Sequence, residues 1–246
     1  MRFTLFLCCL IFISAQPAIA QKLTIEHDFS QRELDTWKNN IQRFTNKYDE
    51  ILNNLYKNPQ LIDGQIAILR SYYPRTRQYS PFAKHILDKM TKYAASLETI
   101  SDMATINKTL ISYQTLVNKH LVNFEVLSFA ITMSQIDVRF GDALFYKKIR
   151  KALINNFNRD GMGIVPETAY NIVSYGEETY ILEHLGGKIS HSEVYKVNKR
   201  YYNVHDMVTK EGEYRQIFMN VTDPIKNVLY NQVIREQEDK KIITIQ

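Results

Sequence analysis

Four side chains bracket one turn in the second half of this chain: Glu167, Glu177, Glu178 and His184. A carboxylate and an imidazole can share proton transfer when burial separates their affinities for the proton. That chemistry would suit a metal-independent hydrolase using Glu167 or Glu178 with His184. The competing reading is capping, because Glu177 and Glu178 fall near a helix start, where the helix dipole favours negative charge. Glu167-Thr168 reads equally as a structural turn. The other histidines, His27, His85, His120, His191 and His205, form no pair with metal-ligand spacing. Residues 158–167 lack the order of oxygen ligands of an EF-hand, and no serine elbow, P-loop or dinucleotide fingerprint occurs. The chain therefore offers no cofactor or metal signature.

A second cluster could bind rather than react. Tyr72-Tyr73-Pro74-Arg75-Thr76-Arg77-Gln78-Tyr79 is dense in aromatic and basic residues. Tyr73, Arg75, Arg77 and Tyr79 could hold an anionic or sugar ligand by stacking and guanidinium hydrogen bonds. Alternatively it is a connection whose tyrosines belong to the neighbouring helix.

Before residue 157 the elements are helical. Ser30 with Glu33 makes a capping-box pattern, and Leu34, Trp37, Ile41, Phe44, Tyr48, Ile51 and Leu55 follow on one helical face. Asn58-Pro59 ends that helix. A weaker helix covers residues 60–73, interrupted by Gly64. Ser80-Pro81 predicts the next start, and further helices are expected over 106–116, 124–138 and 143–156. Gly141-Asp142 fits a helix stop followed by a cap. One pair of helices has a tetratricopeptide-like pattern.

The character changes at Asn158. Residues 168–174 read as a strand and residues 177–185 as a short helix stopped by Gly186-Gly187. Residues 194–207 are β-rich, Lys210-Glu211-Gly212-Glu213 makes a hairpin turn, and Ile217, Met219 and Val221 alternate as in a half-buried strand. Asp223-Pro224 starts a last helix, and residues 235–246 read as a frayed tail. The expected class is α+β: a helical region over residues 21–157 packed on a small α/β module over 158–234.

Residues 161–170, Gly-Met-Gly-Ile-Val-Pro-Glu-Thr-Ala-Tyr, resemble the signature Gly-Asp-Gly-Thr-Ser-x-Glu-Thr-Ala-Phe of domain-of-unknown-function family 4919, exported bacterial proteins. Glu177-Glu178-x-Tyr180-x-Leu182 through Leu185-Gly186, then Tyr195-Lys196-Val197 and Ile217-Phe218-Met219-Asn220-Val221, keep the family's order. Gly141-Asp142 falls where the family turns between two helices. The resemblance spans roughly residues 50–225. Met162 departs from it, standing where the signature has Asp. The resemblance implies this architecture and an envelope location, and it carries no established activity.

The start of the chain also reads as an address. Met1-Arg2, the apolar run Phe3 to Ile13, and Ala18-Ile19-Ala20 match a secretory signal peptide over residues 1–20, cut between Ala20 and Gln21. The run is short of the about 20 residues that span a bilayer, and the cysteines sit too deep in it for a lipoprotein signal. Cys8 and Cys9 are the only cysteines, so cleavage would leave a chain without disulfides or thiol chemistry. No later segment is apolar enough to cross a membrane.

The net charge of +5 is spread among acids rather than blocked, which points away from nucleic acid. Sixteen tyrosines suggest ring packing with hydroxyl hydrogen bonds. The sequence therefore predicts an exported, periplasmic or secreted, non-catalytic protein. It would bind an envelope protein or small ligand through a helical groove or near Asp160.

Overall fold

The computed structural model describes residues 30–243, with side chains to Ile234. Eight α-helices and one four-stranded mixed sheet make up the described residues. The signal-peptide residues, Ala20, Gln21 and both cysteines lie outside them.

Helix α1 (Gln31–Lys57) begins directly after Ser30 and buries Leu34, Tyr48, Ile51, Leu52 and Leu55. Trp37 is only half-buried and stacks on Tyr230 of the last helix, ring centroids 5.0 Å apart. A short 3-10 turn at Pro59–Leu61 leads into α2 (Ile62–Tyr72). Gly64 does not interrupt that helix, a single glycine costing a helix only about 1 kcal/mol.

The expected helix start at Ser80-Pro81 is not where α3 begins. That helix runs from Lys84 to Ser96. The Ser80 hydroxyl instead donates to the Phe82 carbonyl at 2.7 Å. The Pro81 carbonyl accepts the Tyr175 N–H at 3.1 Å, so this stretch is drawn off as a bridge to the second half of the chain.

Helices α4 (Met103–Lys119), α5 (Phe124–Ile136) and α6 (Ala143–Asp160) are each capped by a side chain. Asp102 accepts from the Thr105 N–H, Asn123 from Val126, and Asp142 from both Leu144 and Phe145. Each cap satisfies backbone donors that the helix leaves open.

Gly141 sits before Asp142 at φ 136°, ψ −171°, a region open essentially to glycine alone. It is not the left-handed stop that the sequence suggests. A Cβ there would lie 2.5 Å from the Tyr146 hydroxyl. Gly141→Ala is therefore expected to cost about 1–3 kcal/mol, read as a lowered urea midpoint with an unchanged slope.

After α6 the chain turns through a 3-10 segment, Pro166–Thr168, into β1 (Tyr170–Asn171). The strand expected over 168–174 shrinks to these two residues, because Thr168 and Ala169 donate to carbonyls in their own turn. Helix α7 (Tyr175–Leu185) ends on Gly186, left-handed at φ 70°. Strands β2 (Lys188–Val197), β3 (Arg200–Val208) and β4 (Tyr214–Asn220) follow.

The sheet order is β1-β4-β3-β2. β1 pairs parallel with β4, and the other pairs are antiparallel. β3 is central and buried on both faces, with Tyr202 and Val204 packed on Ala169 and Phe218. β2 is an edge strand and largely exposed. Helix α8 (Thr222–Ile243) closes the chain, so residues 235–243 continue a helix where the sequence suggests a tail. Ile225, Leu229 and Val233 bury its inner face.

Candidate functional site

The four expected acid–base residues do not form one site. Glu167 and His184 are exposed, and the His184 ring lies nearly parallel to that of Tyr180 in a stack, ring centroids 6.0 Å apart. Neither meets Glu178. The Glu/His pairing expected from the sequence is thus corrected: the imidazole on Glu178 belongs to His205.

Glu177 is fully buried and faces Arg70. The Arg70 Nη2 lies 2.9 Å from Glu177 Oε2, and its Nη1 lies 2.7 Å from Asp160 Oδ2. Arg70 also donates to the Asn171 carbonyl, and its guanidinium rests 5.0 Å from the Phe157 ring centre. Burial alone would lower the Arg70 pKa, but Glu177 and Asp160 outweigh it and hold the group above its ordinary value. Glu177 reaches back to accept the Val173 N–H at 2.9 Å. From the first turn of α7, Glu177 thus joins the segment before the helix to the ion pair, tying α2, α6, β1 and α7 together.

Glu178, the next residue, points to the sheet. Asn203 Nδ2 donates to both its oxygens, at 2.9 and 3.1 Å. His205 Nε2 stands 2.9 Å from Oε1, and His205 Nδ1 stands 2.7 Å from the Ser192 hydroxyl. Ser192 and His205 face each other across β2 and β3. His205 is 1% exposed, whereas Ser192 is half-buried.

The aromatic and basic loop divides its residues between core and surface. Tyr73 and Tyr79 are buried. The Tyr79 hydroxyl donates to the Val173 carbonyl at 2.9 Å. Arg75 lies over the Phe44 ring at 5.2 Å. Of the four residues singled out, Arg77 and Tyr79 line a cleft of about 770 Å³, with Gln78 between them.

The walls of that cleft come from α1, the 77–82 loop, α3, α4 and α8. Arg77 is held in place there, its N–H donating to Thr45 Oγ1 at 3.0 Å and its Nη2 to Gln42 Oε1 at 2.9 Å. Lys119 adds a cation, His85 and His120 add imidazoles, and Asn227 and Asn231 add amides from α8. Asp49 is the one acid in the lining. The buried Gln78 Nε2 has no hydrogen-bond partner.

His120 is buried, and its Nδ1 stands 2.7 Å from the Tyr73 hydroxyl. Asn123 Nδ2 donates to the Ser80 carbonyl at 3.1 Å. The Tyr73 proton is then better spent on His120 Nδ1 than on that carbonyl, 3.5 Å away. This assigns the proton of the neutral ring to Nε2. Burial, aided by the charges of His85, Lys119 and Lys89, lowers the His120 pKa to about 4.

The sequence signal for Arg70 is its place in the stripe Ile62, Ile66, Leu69, Tyr73, where a cation belongs only if paired. The signal for His205 is Asn203 two residues before it, on the same face of a strand. Ser192 carries no local signal, because only register brings it to His205.

Among the described residues no three His, Cys, Asp or Glu side chains come together as a metal-ligand set. No described helix is long and apolar enough to cross a membrane. Compared with protein-family models, curated proteins and solved structures, the chain matches none.

Proposed function

We propose that this chain is an exported envelope or secreted binding protein, related to the domain-of-unknown-function family it resembles. Its cleft takes a small anionic or sugar-class ligand. One observation carries the reading: the aromatic–basic loop, singled out for its composition, forms a wall of the 770 Å³ cleft and presents Arg77 there.

The lining supports an anion. Arg77 has backbone and side-chain tethers but no carboxylate partner among the described residues, and Lys119 adds a second cation against the single acid Asp49. A guanidinium with its fork fixed loses little freedom on meeting a carboxylate or phosphate. The amides of Gln78, Asn227 and Asn231 suit hydroxyl groups on the same ligand. No acid–base pair from the first set of candidates lines the cleft, so its role is capture.

The test is calorimetric titration of the purified protein with hexuronic acids, sugar phosphates and neutral hexoses. Acidic ligands are expected to bind and neutral hexoses to bind more weakly. Arg77→Ala should weaken binding by roughly 10- to 100-fold while leaving the unliganded melting temperature unchanged. An Arg77→Ala protein that binds as tightly as the parent would overturn the reading.

A further inference from the structure

We infer that Ser192 is an acyl-accepting nucleophile with His205 as its base and Glu178 as the positioning residue. The protein would then carry a carboxylic-ester hydrolase site at the sheet edge. It shares no residue with the cleft and stands independently of the binding reading.

Proton bookkeeping at Glu178 carries the argument. Asn203 Nδ2 donates to both carboxylate oxygens, at 2.9 and 3.1 Å. A carboxylate receiving such donors is an acceptor, so His205 donates to Oε1 from Nε2 at 2.9 Å. The opposite nitrogen, Nδ1, is then the lone pair, and the Ser192 hydroxyl donates to it at 2.7 Å. Nucleophile, base and orienting carboxylate thus stand in series, with each hydrogen bond polarised toward removal of the serine proton. The two imidazole nitrogens exchange the roles they hold in chymotrypsin-type sites, which leaves the logic unchanged.

Exposure is graded along the series. Glu178 and His205 are buried, while Ser192 is half-buried on a strand that is the edge of the sheet among the described residues. Water is kept from the base and a substrate can approach the hydroxyl. Packing alone could have met the His205 Nδ1 lone pair with a buried backbone N–H; a serine hydroxyl on the edge strand meets it instead. A hydroxyl held on its lone pair at the surface is what acyl transfer requires.

The reaction closes in atoms and charge. Ser192 Oγ forms a bond to the ester carbonyl carbon as its proton passes to His205 Nδ1, and Glu178 faces the resulting imidazolium. Collapse breaks the bond to the alcohol oxygen, which leaves with the Nδ1 proton. Water then attacks the acyl carbon, gives a proton to Nδ1, and the carboxylic acid departs as Ser192 recovers its hydrogen. An ester suits this site because an alcohol leaves with the one proton His205 holds.

The purified full chain is to be treated with a fluorophosphonate probe and assayed with p-nitrophenyl acetate, with labelled peptides mapped by mass spectrometry. Label is expected on Ser192, faster than on other exposed serines. Ser192→Ala should fold as the parent and lose both label and turnover. Glu178→Gln, which keeps an acceptor but removes the charge, should lower kcat by roughly 100-fold with KM unchanged. Equal labelling of Ser192 and other exposed serines, or turnover retained in Ser192→Ala, would sink the inference even if Glu178→Gln fails to fold.

Discussion

Arg70→Ala is expected to destabilise the protein by about 3–5 kcal/mol, the largest effect of any single charge removal foreseen here. Glu177 is 0% exposed and Asp160 faces the same guanidinium. Removing the cation strands at least one carboxylate where water cannot reach it, and the Asn171 carbonyl loses its donor as well. Phe157 also loses the guanidinium resting on its ring.

The cost arises from stranding, not from the intrinsic worth of the pair, because buried ion pairs lose to desolvation much of what they gain from attraction. A double-mutant cycle separates these. Arg70→Met with Glu177→Gln should cost clearly less than the sum of the two single changes, since the fully buried position 177 then carries no charge and only the partly exposed Asp160 loses its partner. Urea unfolding of all four proteins at pH 7 measures this. Additive costs would show that Arg70 and Glu177 do not act as one unit.

Acidification should weaken the fold through His120. Its folded pKa is about 4, against an ordinary histidine value near 6.5. Between these values the unfolded chain binds a proton that the folded chain refuses, so stability falls as pH falls. Above about 6.5 the contribution is fully present, and below about 4 the loss is complete and flat. The difference amounts to about 3 kcal/mol at most.

His120→Gln can keep an acceptor for the Tyr73 hydroxyl while removing the titration. In that variant the stability lost between pH 6.5 and 4.5 should be smaller than in the parent by roughly 2 kcal/mol. Denaturant midpoints at the two pH values read it directly. An identical pH slope in both proteins would mean that other groups carry the acid sensitivity.

The sequence was most legible where one local rule decides the outcome. Leu34, Tyr48, Ile51 and Leu55 recur at helical spacing, and they are the buried face of α1. Asp142 caps α6, Gly186 ends α7, and Ile217 with Met219 marks the inner side of β4. Local rules failed where a distant partner bids for the same atoms. Ser80-Pro81 has the chemistry of a helix start, but the Pro81 carbonyl is taken by Tyr175 and the helix begins later.

The chemistry was legible in part. Glu177 and Glu178 were worth singling out, yet the neighbour that each would meet depends on which face of α7 meets which element. One residue of rotation separates a carboxylate on Arg70 from a carboxylate on His205. His184, close in sequence, looks outward. His205 and Ser192 are joined only by the pairing of β2 with β3, a register that no short window of sequence specifies. In the loop, composition flagged Tyr73, Arg75, Arg77 and Tyr79 alike, while burial separated them, taking both tyrosine rings into the core.

The stack of Trp37 on Tyr230 gives the protein its own optical gauge. Trp37 is the only indole in the chain, and its partner ring lies on the helix that supplies Asn227 and Asn231 to the cleft. Any ligand that shifts this helix against α1 changes the surroundings of a single emitter. Tryptophan fluorescence therefore reports on that wall without a label, with Tyr230→Ala as the variant in which the signal should lose its response.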